Sequence, residues 1–404
     1  MPVTFTDEFD CADAIIARVG KRLKVATPLA AGKPIPILNA LYQRAKEDPA
    51  IELEIYTALT LATPRGKSLL ERRFLEPFAK RVFGDYPNPE YHLDREQDKL
   101  PPNVRVIEFY FPAGKQLNSL HSQENYVSAN YTHVARDLID AGVNVIAQLV
   151  AVDKGEEGFS LSCNPDICLD LMATLGKRDD IAYVAQVNRN LPFMYGDAVV
   201  DRDSYDLVLD DPGFDHRIFA PPRMPVSDAD HMIGLHASTL IKDGGELQIG
   251  IGALGDALVY SMLLRHRDNE IYKDVLRVLG VDEKFAEVIR KKGDTGRFNR
   301  GLFGATEMFV DSFMHLIDAG ILKRRVYDHA ILQRLLNEGV ITEEVTAETV
   351  YHLLERHAIN PRFTVQDFRF LKSFGILREG VEYDDGYLVL SLIHISEPTR
   401  LRRK

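Results

Sequence analysis

The chain has 404 residues, a hydrophobic content of 45% and a formal net charge of −11. This length suits about two to three domains with full-sized cores, and the negative charge argues against a nucleic-acid partner. No apolar run approaches the roughly 20 residues of a membrane helix. The first residues, MPVTFTDEFD, lack the pattern of a signal peptide. Cys11, Cys163 and Cys168 have no metal-site spacing. We therefore expect a cytoplasmic protein with no membrane partner and no metal site.

Apolar, β-rich runs alternate with helical patterns along the first half of the chain. Strands are predicted over Ile51–Ala58, Val104–Phe109, Val143–Val150 and Ile181–Val187. Helices are predicted over Pro36–Glu47, Ser128–Ala141 and Pro165–Leu175. This alternation predicts a largely parallel, doubly wound α/β sheet. No internal repeat is expected.

The stretch Phe214–Asp230 is rich in proline, has no periodicity and is predicted to be a linker. It separates an N-terminal α/β domain, residues 1–213, from a second α/β domain over residues 231–389. Residues 390–400, LSLIHISEPTR, resemble the in-frame translation of a sequencing-library adapter. We therefore expect residues 390–404 to be an artefact and the second domain to be incomplete.

A glycine-rich segment in the second domain, GELQIGIGALGDAL at residues 245–258, has the spacing of a dinucleotide-binding loop. Leu247, Ile249 and Ile251 alternate as in a strand. A helix is predicted from Ala253, with one apolar face made by Leu254, Leu258, Met262 and Leu263. Between strand and helix, the turn exposes backbone N–H groups that suit an anion or a developing oxyanion.

An NAD-binding loop also needs a second strand soon after the helix, with an acidic residue about 20 positions on. The sequence after this helix, RHRDNEIYKDVLRVLGVDEKF, contains acids but no β-branched run. An NAD-dependent oxidoreductase that uses the Gly250–Gly255 loop stays open as an alternative.

A second motif, ATEMFVDSFMHLIDAGIL at residues 305–322, predicts a helix with one apolar face. That face is made by Phe309, Phe313, Leu316 and Ile317. Thr306 is the predicted N-cap and Gly320 the predicted C′ residue. Glu307 then falls in the first turn, where a carboxylate complements the helix dipole.

The two motifs, in this order, resemble the acetyl-CoA hydrolase/transferase family, which includes acetate and 4-hydroxybutyrate CoA-transferases. Upstream, GFSLSCNPDI at 158–167 and AQVNRNLPFMYGD at 185–197 resemble further family segments. The family has a histidine where this chain has Ala305 and a proline where it has Gly255. The family's later glycine-rich segment is not found before Val389.

The resemblance implies an α/β fold of two CoA-transferase-like, doubly wound domains, the second incomplete. It implies that Glu307 is the nucleophile, that Gly250, Ile251, Gly252 and Ala253 contact CoA or an oxyanion, and that Asn188, Asn190 and Gly196 are candidates for the substrate pocket. The implied activity is CoA transfer from a small acyl-CoA to a carboxylic acid, or acyl-CoA hydrolysis, by a homodimer. CoA is then a substrate, and no cofactor is bound permanently. A non-catalytic, truncated CoA-binding fragment is the second alternative.

Overall fold

The computed structural model describes residues 1–390 except 112, 113, 115, 154, 156, 163, 220–223, 307, 308, 379, 385 and 386. The chain forms two compact units, residues 1–222 and 223–404. This division falls inside the segment 214–230 that the sequence predicts as a linker. The α-helix that begins at Asp228 is capped by Ser227, so the last part of that segment is helical.

The strands of the first unit are β1 (Val3–Phe5), β2 (Arg22–Ala26), β3 (Glu52–Thr57), β4 (Val104–Glu108), β5 (Val145–Val150), β6 (Phe159–Ser160), β7 (Ala182–Val187), β8 (Val199–Val200) and β9 (Leu207–Leu209). Its helices are α1 (Glu8–Val19), α2 (Ile35–Glu47), α3 (Leu69–Val82), α4 (Glu90–Arg95), α5 (Leu120–Glu124), α6 (Val134–Asp140) and α7 (Cys168–Leu175).

Seven parallel strands of the first unit form one sheet in the order β1-β9-β7-β5-β2-β3-β4. Helices α1 and α2 bury Ile15 and Leu41 on one face of this sheet. Helices α6 and α7 bury Leu138 and Leu171 on the other. The predicted doubly wound α/β architecture is confirmed here. The strand order reverses between β2 and β5, which opens a crevice at the carboxyl ends of these two strands.

The four strands predicted for the first unit and helix α2 agree with the structure to within two residues at each end. Two helices begin later than predicted. A one-turn helix at Tyr131–His133 precedes α6, and α7 begins at Cys168, three residues after Pro165. Strands β5 and β7 are buried along their whole length. A strand covered on both faces has a continuous apolar run, which is why the sequence located them well.

The second unit contains the strands β10 (Glu246–Gln248), β11 (Phe303–Ala305), β12 (Val381–Asp384) and β13 (Tyr387–Leu390). Its helices are α8 (Asp228–Ser238), α9 (Ala253–Arg267), α10 (Asn269–Val278), α11 (Val281–Lys284), α12 (Ala286–Lys292), α13 (Asp311–Asp318), α14 (Ala330–Asn337), α15 (Ala347–Glu355) and α16 (Val365–Ser373). Strands β10 and β11 pair in parallel, and β12 and β13 form an antiparallel pair. In the described ranges, every helix is too short or too polar to cross a bilayer.

The predicted apolar face of α9 is largely correct. Met262 is fully buried and Leu258 and Leu263 pack against the core, whereas Leu254 is 47% exposed. Ala257 and Arg265 are fully buried as well. Helix α8 approaches α9 so closely that a Cβ at Gly234 would lie 2.6 Å from the backbone of Ala257. Small side chains at the crossing permit this approach, so the buried face extends beyond the predicted one to the side that meets α8.

The expectation of no internal repeat is also wrong. Four helices end in similar heptads, LIDAGIL (316–322), LLNEGVI (335–341), LLERHAI (353–359) and LKSFGIL (371–377). The fifth residue of each has a positive φ, namely Gly320 (+67°), Gly339 (+70°), His357 (+59°) and Gly375 (+70°). In each heptad the sixth N–H donates to the carbonyl of the first leucine, at 2.8 to 3.0 Å. This is the Schellman pattern of helix termination.

Candidate active site

The glycine turn follows directly from strand β10. The N–H of Ile249 donates to the carbonyl of Ala305 at 3.2 Å, which continues the pairing with β11 by one residue. The predicted strand is therefore shorter than expected, since Ile251 is 58% exposed and lies in the turn. Gly252 has a φ of +126° and precedes the first residue of α9. Only glycine adopts this conformation without strain.

Close packing inside the turn requires the third glycine of the motif. A Cβ at Gly255 would lie 2.8 Å from the carbonyl oxygen of Gly250 and 3.1 Å from the side chain of Ile249. A Cβ at Gly250 would meet nothing within 4 Å. Gly255 therefore allows the start of α9 to pack directly against the end of β10.

The backbone N–H groups of Gly250, Ile251, Gly252 and Ala253 donate to no acceptor in the described part of the chain. They precede or begin the helix α9, which has 15 residues. The first N–H groups of a helix have no partner within it and carry part of the positive end of its dipole. This turn can therefore hold an anion, as the sequence predicts.

Glu307, the predicted nucleophile, lies outside the described residues, but its neighbours are placed. Thr306 does not cap the next helix: α13 begins at Asp311, and its N-cap residue is Val310. The hydroxyl of Thr306 instead donates to the carbonyl of Ile249 at 2.8 Å. The helix α13 thus begins four residues after position 307, so the prediction that its first turn includes position 307 is wrong.

The predicted apolar face of α13 is half correct. Phe313 and Leu316 are buried, whereas Phe309 and Ile317 are 53% and 49% exposed. Phe309 precedes the helix, so the helical spacing does not apply to it. Gly320 occupies the predicted C′ position, with a φ of +67°.

Helices α9 and α13 are joined at their amino ends by one hydrogen bond. The hydroxyl of Ser312 donates to Oδ1 of Asp256 at 2.5 Å. Each residue lies in the first turn of its helix. Together with the Thr306 bond, this contact ties Thr306 and the start of α13 to the two ends of the glycine turn. Sequence reasoning assigned no role to this pair, because residues 56 positions apart show no common pattern.

The three candidates in the first unit differ in their surroundings. Asn188 is fully buried; its amide donates to the carbonyl of His216 at 3.0 Å, and its Oδ1 accepts the N–H of Asn190 at 3.0 Å. Asn190 is exposed and lines a cleft of about 680 Å³ together with Lys80 and Arg217. Gly196 is exposed, with a φ of +75°. Asn188 thus orders the loop after β7, whereas Asn190 is free to meet a ligand.

A buried lysine organises the carboxyl edge of the first unit's sheet. Nζ of Lys33 donates to the carbonyl of Ala58 at 2.6 Å, and the carbonyl oxygens of Ala30 and Leu59 lie 3.5 Å away. Ala30 and Leu59 have φ angles of +46° and +45°. Such angles are uncommon outside glycine and concentrate at functional sites. Burial lowers the pKa of Lys33 to about 7, although the nearby carboxylates raise it.

Asp166 faces the same edge, next to the loop that follows β2. Its Oδ2 accepts the N–H of Leu29 at 3.0 Å. Burial raises the pKa of Asp166 to about 6, against the opposing effects of that hydrogen bond and of Lys33. Sequence reasoning missed both groups. The only available indication was a charged residue inside an otherwise apolar segment, as at Lys33 in AAGKPIPIL.

Two further features bear on cofactors. Among the described residues, no group of three or more His, Cys, Asp or Glu side chains is arranged to hold a metal ion. The next strand after α9 is β11, and the elements between them are the helices α10 to α12. A dinucleotide-binding unit needs a strand soon after the first helix, so this geometry disfavours the NAD alternative.

No family model matches the chain. The chain is 32% identical to the 4-hydroxybutyrate coenzyme A transferase of Clostridium kluyveri over 144 residues. This aligned stretch covers 35% of this chain and 24% of that protein. RipA from Yersinia pestis has a similar fold, with a TM-score of 0.51 and 16% identity over 79% of this chain and 59% of that one. A 4-hydroxybutyrate CoA-transferase from Porphyromonas gingivalis aligns with a TM-score of 0.45 and 19% identity, over 79% of this chain and 58% of that one. The chain thus spans less than two thirds of the length of these relatives.

Proposed function

The chain belongs to the acetyl-CoA hydrolase/CoA-transferase family, and from this premise we propose that it transfers CoA from a small acyl-CoA to a carboxylate, or hydrolyses the acyl-CoA, through Glu307. One observation carries the proposal. Thr306, which directly precedes Glu307 in the chain, bonds to the carbonyl of Ile249 at the end of β10, and the glycine turn with its unpaired N–H groups follows Ile249.

A carboxylate can perform this chemistry without a metal or a redox cofactor. Glutamate has an ordinary pKa near 4.3 and is therefore ionised at pH 7. An oxygen of Glu307 attacks the thioester carbonyl, the C–S bond breaks, and CoA leaves as the thiolate. The products of this step are a mixed glutamyl–acyl anhydride and free thiolate.

The thiolate then attacks the glutamyl carbonyl of the anhydride, which releases the acyl group as a carboxylate and leaves a glutamyl-CoA thioester. The incoming carboxylate attacks this thioester and forms a second anhydride with release of the thiolate. Attack of the thiolate on the acyl carbonyl gives the new acyl-CoA and regenerates Glu307. If water attacks the thioester instead, the net reaction is hydrolysis.

The N–H groups of Gly250 to Ala253 are the proposed donors to the oxyanion of the tetrahedral intermediates. Loss of one such donor costs about 3 kcal/mol in the barrier. Asn190 and Gly196 remain candidates for the substrate pocket, with Asn188 as the residue that positions Asn190. CoA acts as a substrate rather than as a resident cofactor, and a homodimer in the cytoplasm is the proposed state.

The test compares Glu307→Gln with Glu307→Asp and the unaltered chain. We expect Glu307→Gln to abolish exchange of labelled acetate into acetyl-CoA, with thermal unfolding unchanged. Mass spectrometry of the unaltered chain incubated with acetyl-CoA should find a CoA adduct on the peptide that contains residue 307. Exchange by Glu307→Gln at near the original rate would exclude Glu307 as the nucleophile. CoA binding without any exchange by the unaltered chain would favour the non-catalytic fragment.

A further inference from the structure

A basic cleft lies in the second unit, at the edge of the β10–β11 pair opposite to the glycine turn. Arg300 precedes β11, and its guanidinium lies against Gly244, just before β10. The N–H of Gly244 donates to the carbonyl of Gly301 at 3.0 Å. Because β10 and β11 are parallel, their amino ends share this edge. At a strand rise of about 3.3 Å per residue, Gly245 at this edge lies roughly 16 Å from Gly250 in the glycine turn.

The cleft has a volume of about 660 Å³ and is lined by four cationic side chains, Arg300, Lys323, Arg324 and Arg325. Its other wall is the end of α14 and the turn that follows, which belong to the second of the four similar heptads. The positive charge is notable in a chain with a net charge of −11.

Two of the four cations are already paired. Arg324 lies 3.4 Å from Glu246, and Arg325 lies 2.9 Å from Glu343, which also lines the cleft. In the described part of the chain, neither Arg300 nor Lys323 has a carboxylate within 4.0 Å. Two uncompensated positive charges therefore face this space.

The nearby carboxylate of Asp243 does not neutralise them directly. It accepts the backbone N–H groups of residues 299, 300 and 301 at 2.8 to 3.0 Å. The pKa of His266, close by, is lowered first by burial and then by the positive charges of Lys323, Arg297 and Arg267. Three cations thus act on His266, with Asp243 as the opposing charge.

The side-chain amide of Asn337 supplies one neutral hydrogen-bond donor to the cleft. Oδ1 of Asn337 accepts two hydrogen bonds, from Nη2 of Arg324 at 3.1 Å and from Nε2 of Gln333 at 3.0 Å. These bonds define which end of the amide is the oxygen. Its Nδ2 group makes no hydrogen bond in the described part of the chain, and Asn337 lines the cleft.

We propose that this cleft binds the diphosphate group of a small molecule, at a site distinct from position 307. Arginine donates to phosphate oxygens through two parallel N–H groups, and lysine adds a point charge. A diphosphate has enough oxygens to meet Arg300, Lys323 and the Asn337 amide together. The diphosphate can come from a free phosphorylated metabolite or from CoA itself.

The test is calorimetric titration of the 404-residue chain with sodium pyrophosphate at low ionic strength. We compare it with the double variant Arg300→Gln/Lys323→Gln. The matched control is Lys273→Gln/Arg277→Gln, which removes two exposed, paired cations from α10. We expect saturable binding that is at least about tenfold weaker in the cleft variant, since the variant removes two charged hydrogen-bond donors to the phosphate oxygens. The control variant should bind as the unaltered chain does.

Competition identifies the source of the diphosphate. If CoA displaces pyrophosphate from the unaltered chain, the cleft holds the diphosphate of CoA. If CoA does not, the site takes a different phosphate. Absence of saturable pyrophosphate binding, or equal affinities for the cleft variant and the unaltered chain, would overturn the proposal. These titrations measure no CoA transfer, so their result is independent of the role of Glu307.

Discussion

The hydroxyl of Ser312 donates a 2.5 Å hydrogen bond to the carboxylate of Asp256, and this bond joins the first turns of α13 and α9. One of these helices begins at the glycine turn, and the other begins four residues after position 307. The bond thus sets the distance between the glycine turn, which holds the proposed oxyanion donors, and the start of α13. A carboxylate in the first turn of α9 also complements the dipole of that helix.

Ser312→Ala should lower kcat for CoA exchange about tenfold with little change in KM, because it removes a positioning contact and no substrate contact. The lost hydrogen bond to a charged group should also reduce the free energy of unfolding by about 1.5–3 kcal/mol. Exchange kinetics and urea unfolding measure the two effects. The control is Ser261→Ala, since the Ser261 hydroxyl bonds only within its own helix, to Ala257 at 3.0 Å. Equal kcat values for the two variants would contradict a positioning role.

Gly255→Ala should destabilise the second unit, whereas Gly250→Ala should have little effect on stability. A Cβ at Gly255 would lie 2.8 Å from the carbonyl oxygen of Gly250, while a Cβ at Gly250 would meet nothing within 4 Å. Overpacking of this kind costs about 1–3 kcal/mol. Thermal unfolding of both variants checks the difference, and an equal shift in Tm would show that the helix does not need this close approach.

Asp166→Asn should increase stability at neutral pH and lose this advantage in acid. Burial raises the pKa of Asp166 to about 6 in the folded chain, above its ordinary value of 3.8. The folded state therefore binds more protons than the unfolded state between these two pH values, and stability falls as the pH rises through them. Above pH 6 the full penalty applies, and asparagine removes up to about 3 kcal/mol of it.

Asparagine still offers Leu29 an acceptor in place of Oδ2. Urea unfolding at pH 4 and pH 7.5 measures the predicted difference, with Asp170→Asn on the exposed side of α7 as the control. A stability gain for Asp166→Asn that is the same at both pH values would show that charge burial is not its cause.

Arg265→Met should reduce the free energy of unfolding by about 3–5 kcal/mol. The guanidinium is fully buried and donates to the carbonyls of Ser238, Ile241 and Gly296 at 2.6 to 2.8 Å. Methionine fills a similar volume but leaves the carbonyls of Ile241 and Gly296 without a donor in the described part of the chain, and that of Ser238 with only the 3.4 Å bond from the N–H of Ile241. Arg267→Met, two residues later on the exposed side of α9, is the matched control in urea unfolding. A similar loss of unfolding free energy in both variants would show that the hydrogen bonds from Arg265 to these carbonyls do not stabilise the fold.

His357→Gly should stabilise the chain by about 0.5–1 kcal/mol. His357 has a φ of +59° at the C′ position where the other three heptads have glycine. A side chain in this conformation is strained, and glycine removes that strain. His357 is exposed, so little packing is lost. Gly339→Ala, at the equivalent position of the preceding heptad, should change Tm in the opposite direction. A lower Tm for His357→Gly would mean that the imidazole makes a stabilising contact.

The parts of the fold that followed from sequence are those in which local pattern and burial agree. Strands β5 and β7 are covered on both faces by helices, so each is a continuous apolar run. The glycine turn could be located because its glycines answer local requirements. Gly252 adopts a positive φ, and Gly255 lies in close contact with the backbone of Gly250. The heptad repeat was equally visible in the letters, as LLNEGVI and LLERHAI show, but its meaning depends on hydrogen bonds at the helix ends.

Other features depend on partners that are distant in sequence. The burial of Ala257 on α9 depends on the close approach of Gly234 on α8, and Thr306 bonds to Ile249 rather than capping α13. The unusual environments of Lys33 and Asp166 arise from loops after different strands. Sequence alone was sufficient for the α/β class and for the order of the two motifs, because these depend on neighbours within a few residues. The placement of charges and hydrogen-bond donors around position 307 and in the basic cleft required the folded chain, because burial and electrostatic potential are properties of the packed molecule.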